Sequence, residues 1–112
     1  MKLPNADKAV VDREKVADYL LNASHPDNGG KAEFFQRYGF RRDDWRTLAD
    51  ALLNLARAGS VMSAAVTAHG QKFVIVGVLQ TPTGRLASVQ TIWIVDTGNE
   101  AARLVTAYPA RE

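Results

Sequence analysis

The chain has 112 residues, 46% of them hydrophobic and 23% charged, with a formal net charge of +2. That is enough chain to bury roughly two thirds of the surface it exposes when unfolded, which excludes a disordered or fibrous class. The mild excess of base does not by itself mark a nucleic-acid binder, and the absence of cysteine excludes disulfides, thiolate metal sites and a cysteine nucleophile.

No apolar run approaches membrane-spanning length, and Met1–Asp7 lacks the apolar stretch of a cleaved signal. Both point to one cytoplasmic domain over residues 1–112. Residues 1–57 carry ten of the fourteen Lys and Arg and nine of the twelve Asp and Glu, a balanced density that reads as solvated helix faces.

An irregular or extended lead-in ends at Val10 and Val11. Asp12 then fits a helix N-cap, with Val11 and Val16 spaced as a hydrophobic staple, and helix one is expected from Arg13 to Asn22, burying Val16, Tyr19 and Leu20. Residues 22–30 are dense in turn formers, and Pro26 turns His25 away from helical dihedrals, so they form a loop. Lys31–Tyr38 reads as a short helix with Phe34, Phe35 and Tyr38 inward and Gly39 at its end. A third helix starts at Asp43 or Asp44 and ends at Gly59, with Trp45, Leu48, Ala49, Leu52, Leu53 and Ala56 recurring at three- and four-residue intervals.

After Gly59 the period becomes two. Val61–Ala68 and Gln71–Gln80 read as strands around a His69-Gly70 hairpin turn, and Thr81–Gly84 has the proline-second pattern of a type I turn. Arg85–Asp96 is the longest strand-like run; its consecutive apolar residues 92–95 suggest burial on both faces and place it at the centre of the sheet. Arg103–Tyr108 is the last strand, with Leu104, Thr106 and Tyr108 on one face. The expected architecture is α+β: about three N-terminal helices packed on one face of a four-stranded antiparallel meander sheet.

Candidate chemistry is sparse. Gly29-Gly30-Lys31 fails the phosphate-loop pattern, because His25 stands where the first glycine is needed and Ala32 follows the lysine. His25 and His69 lie in different loops without ligand-spaced partners, so neither a metal nor a cofactor is expected. His25 and Lys31 remain. A histidine in a glycine-rich loop can exchange protons near neutral pH, and Lys31, which opposes the dipole of the helix it opens, can neutralise a phosphate. Thr91, Thr106 and Tyr108 add hydroxyls within strands, and Lys72 and Arg103 add cations there. The competing reading of each is structural: an exposed loop histidine, good strand residues, a rim tyrosine.

Asn5-Ala6-Asp7-Lys8-Ala9-Val10, Tyr19-Leu20-Leu21 with Ser24-His25-Pro26, Gly30-Lys31-Ala32 with Phe34-Phe35, Gly70-Gln71-Lys72, Thr91–Val95 and Leu104–Pro109 together resemble an uncharacterised family of small bacterial domains, found alone and as tails of polymorphic toxins and phage-associated proteins. The order of elements and the Val-Thr-Ala-Tyr-Pro ending are also loosely similar to the barnase, EndoU, colicin and RelE ribonucleases. That second resemblance implies His25 as acid/base, Lys31 as the phosphate cation, and Thr106 and Tyr108 as hydroxyls at the scissile phosphate; Lys72, Thr91 and Arg103 are the candidate substrate-binding residues beside them. Its partners would be RNA and a small cognate or immunity protein. The alternative is a non-catalytic interaction module, or a homodimer formed through an exposed edge strand.

Overall fold

The computed structural model describes residues 1–110. A 3₁₀ turn at Ala6–Lys8 precedes helix α1 (Arg13–Lys15), which runs on as a π-helical turn over Val16–Leu20. Helix α2 spans Lys31–Arg37, and α3 (Trp45–Ala58) follows a 3₁₀ turn at Arg42–Asp44. Strands β1 (Val61–Thr67), β2 (Gly70–Gln80), β3 (Leu86–Asp96) and β4 (Arg103–Pro109) then form one antiparallel sheet in chain order. The α+β architecture is the one expected, with the three helices packed on one face of the meander.

The sheet is built on the β2–β3 ladder, which pairs without interruption from Gly70 opposite Asp96 to Gln80 opposite Leu86. Alternation sends Ala87, Val89, Thr91 and Trp93 to the helix side, where all are buried. Phe73, Trp93 and Leu104 make one row across three strands. Leu48, Ala49, Leu52, Leu55 and Ala56 of α3 close over this face. Gly77 lets α3 approach β2, since a Cβ there would stand 3.1 Å from Leu55 Cγ. The opposite face carries no helix, so Ile92 and Ile94 are only half-buried and burial on both faces holds for neither.

Four expectations are corrected in detail. The first helix ends at Leu20 rather than Asn22, because the Leu21 amide reaches back five residues to the Val16 carbonyl and widens the last turn. Asp12 occupies the N-cap position but makes no side-chain cap bond. The β1–β2 turn is Ala68-His69, since Thr67 already pairs with Gly70; Gly70 has φ 147° and a Cβ there would lie 2.1 Å from the Val95 carbonyl oxygen. The lead-in is not merely irregular: Val10 forms a parallel bridge with Arg103, donating to the Ala102 carbonyl (2.8 Å) and accepting from the Leu104 amide (3.0 Å). Among the described residues no helix is long and apolar enough to cross a membrane.

Candidate functional site

Tyr19 is the centre of a polar cluster at the outer edge of β4. The π turn carries it, and buried Asn28 fixes that turn from the following loop: its amide nitrogen donates to the Tyr19 and Leu20 carbonyls, while its Oδ1 accepts from the Ala32 amide at 2.9 Å. One side chain therefore caps the end of α1 and the start of α2 together. Lys31 opens α2 directly after Gly30, and its Nζ donates to the Tyr19 hydroxyl at 2.7 Å. The cation that opposes the helix dipole is held by this bond and by its position 5.0 Å from the tyrosine ring centre.

The other partners converge from three directions. Thr106 Oγ1 lies 3.3 Å from the Tyr19 hydroxyl. The His25 ring stands edge-on to Tyr19 at 5.0 Å between centroids, and Lys15 Nζ lies 5.3 Å from the same ring. His25 Nδ1 accepts from the Asp27 amide at 3.1 Å, so the neutral imidazole carries its proton on Nε2. Glu14, Lys15, Tyr19, His25, Asp27, Val105 and Thr106 line an open hollow of about 470 Å³.

Partial burial works to raise the pKa of Tyr19. The hydrogen bonds from Lys31 and Thr106 and the charges of Lys31 and Lys15 outweigh it, and the phenol sits below its ordinary value of 10.0. The folded state therefore favours the phenolate. The associated stability is absent at neutral pH, appears as pH rises through the lowered value, and is complete above the unfolded value. Absorbance titration should show Tyr19 ionising below the ordinary tyrosine range in the wild type. Lys31→Ala should return it upward; an unchanged titration would mean that the Lys31–Tyr19 bond does not persist in solution.

The remaining sequence candidates lie elsewhere. Thr106 and Tyr108 share the open face as expected, but Leu104 does not join them, because the ladder shifts between Ile92 and Trp93: Ile92 pairs with Thr106, Trp93 with Leu104, and Val105 is the extra residue. Leu104 enters the core. Tyr108 sits opposite Gln90 on the open face, accepts from the Gln90 side-chain amide, and borders a separate hollow with Met62 and Val76. Thr91 is wholly buried, donating to the Ile75 carbonyl and accepting from Trp93 Nε1, both at 2.8 Å. Its hydroxyl is thus committed to the core. Lys72 is exposed opposite Ile94, on the face away from the helices. Arg103 forms a two-pronged bond with Asp96 (2.7 and 3.1 Å), which lowers the Asp96 carboxyl and raises the guanidinium.

The structure thus brings His25, Lys31 and Thr106 together and leaves out Tyr108, Thr91, Lys72 and Arg103. Sequence reasoning assigned Tyr19, the hub, to the core from its spacing with Val16 and Leu20. The available signal was a polar-tipped aromatic in an apolar stripe, followed by a tight loop able to return Lys31 to it. Among the described residues no three of His, Asp and Glu stand close enough to hold a metal ion.

Residues 2–111 match the profile of the family described as domain of unknown function DUF6883, so the chain belongs to that family. No curated protein matches. Among solved structures, the chain is similar to a chain of the contact-dependent growth inhibition toxin–immunity protein complex from Klebsiella pneumoniae 342, at 16% identity with a TM-score of 0.76, covering 96% of this chain and 97% of that one. At that identity the likeness is one of fold.

Proposed function

We propose that this DUF6883 domain is a toxin-related ribonuclease that cleaves RNA by attack of a 2′-hydroxyl on the neighbouring phosphate, and that a small cognate protein restrains it. The observation that carries the reading is the Tyr19 hydroxyl held between Lys31 and Thr106 beside an open hollow. The Tyr19 oxygen, biased towards phenolate by Lys31, accepts the 2′-hydroxyl proton as the new P–O bond forms. Lys31 and Lys15 neutralise the charge that grows on the phosphate. Departure of the 5′-oxygen breaks the second P–O bond, leaving a 2′,3′-cyclic phosphate. His25, whose Nδ1 is engaged by Asp27, offers its Nε2–H to that leaving oxygen, which takes its proton from water in the open hollow. The base expected at His25 is thereby reassigned to Tyr19. A fold shared with a chain from a toxin–immunity complex supports a toxin setting and a protein partner.

The test is incubation of the purified domain with total transfer RNA in chelator, followed by end-group analysis. Wild type should generate 2′,3′-cyclic phosphate ends, and Lys31→Ala should generate them far more slowly at neutral pH. No cleavage above buffer by freshly folded wild type would overturn the reading and leave a non-catalytic interaction module.

A further inference from the structure

Strand β1 lies at one edge of the sheet, and every residue from Met62 to Thr67 is exposed on it. Met62 is 62% and Val66 82% accessible. The strand has neither charge nor proline, although exposed edges are ordinarily guarded by one or the other. Its single irregularity, the register shift at Met62, lies at one end and leaves Ser63–Thr67 regularly paired. The Met1 carbonyl takes the Val61 amide at 2.7 Å. Beyond that point the backbone bonds of β1 run to β2 alone among the described residues, so one side of the strand is an unused ladder.

The opposite edge differs. Val10 is already bonded along the start of β4, and Tyr19 reaches Thr106 further along it. Addition of one molecule's β1 to the next molecule's β4 would have to displace Val10, which disfavours an open head-to-tail filament. Pairing of β1 with its own copy meets no such obstacle. An antiparallel pair about a two-fold axis near Ala64 sets Ser63 against Ala65 of the second copy, two small side chains, and brings no like charges together.

We infer that β1 is a homodimer interface, occupied by β1 of a second copy to give a continuous eight-stranded antiparallel sheet. The pairing covers the free ladder and shields Met62 and Val66. The Tyr19 cluster lies at the far edge of each half, so both hollows stay open in the dimer. A protein that silences the domain must then cover the β4 edge rather than compete for β1.

Sedimentation and light scattering on the full chain at high micromolar concentration should give twice the 12.2 kDa chain mass. Ala64→Lys, which sets two lysines against each other across the axis, should raise the dimer dissociation constant at least about tenfold while leaving the circular dichroism spectrum unchanged. Mixing Ala64→Lys with Ala64→Glu should restore dimers containing one of each. A monomeric wild type, or an Ala64→Lys variant that dimerises as well as wild type, would overturn the assignment. If Ala64→Lys failed to fold, Val66→Lys at the most exposed position of the strand would serve instead, with the same two overturning results.

Discussion

Trp93→Ala should lower the unfolding free energy by about 3–5 kcal/mol, as full removal of a large core aromatic does. The indole is wholly buried between Phe73 and Leu104 in the central row of the sheet. Its truncation also unpicks a short hydrogen-bonded chain: Trp93 Nε1 donates to Thr91 Oγ1, which donates to the Ile75 carbonyl. Trp93→Phe keeps most of the volume but leaves the threonine oxygen without that donor, so its cost should be nearer about 1–3 kcal/mol. Urea unfolding followed by far-ultraviolet circular dichroism measures both. Near-wild-type stability for the alanine variant would mean that the β2–β3–β4 row is not the structural centre.

How far the sequence announced this arrangement depended on whether a feature is local. β3 was legible because alternation, β-branching and turn residues agree along a single segment, and α3 because its apolar stripe runs for four turns. The π turn was not legible: Val16, Tyr19 and Leu20 satisfy ordinary helical spacing, and the extra residue is selected by what Asn28 and the following loop bond to. Likewise, strict alternation in Arg103–Tyr108 puts Thr106 and Tyr108 on one face with Leu104. The shift at Val105 that breaks this pattern is a property of pairing with β3, and no residue in the strand signals it. His25 and Lys31 were recognisable as chemistry without a visible anchor. The anchor, Tyr19, was hidden because a tyrosine on an apolar stripe reads as packing until its hydroxyl is seen to have partners.

Tyr19→Phe removes one oxygen and should slow RNA cleavage by about 10²–10⁴-fold, the range that a positioned acid or base contributes. The ring remains, so packing against His25 and Lys15 is retained and the fold should survive. The pH profile separates this role from a structural one. If the phenolate is the proton acceptor, wild-type rates rise with pH up to the lowered Tyr19 value, and the rise disappears in Tyr19→Phe. Lys31→Ala should keep the rise but move it to higher pH, because the ammonium that favours the phenolate is gone. His25 gives the complementary contrast: His25→Gln retains an N–H donor and should keep more activity than His25→Ala, whereas a histidine acting as base would lose equally in both. A rate that climbs with pH in Tyr19→Phe as it does in wild type would remove Tyr19 from the chemistry and return the base to His25.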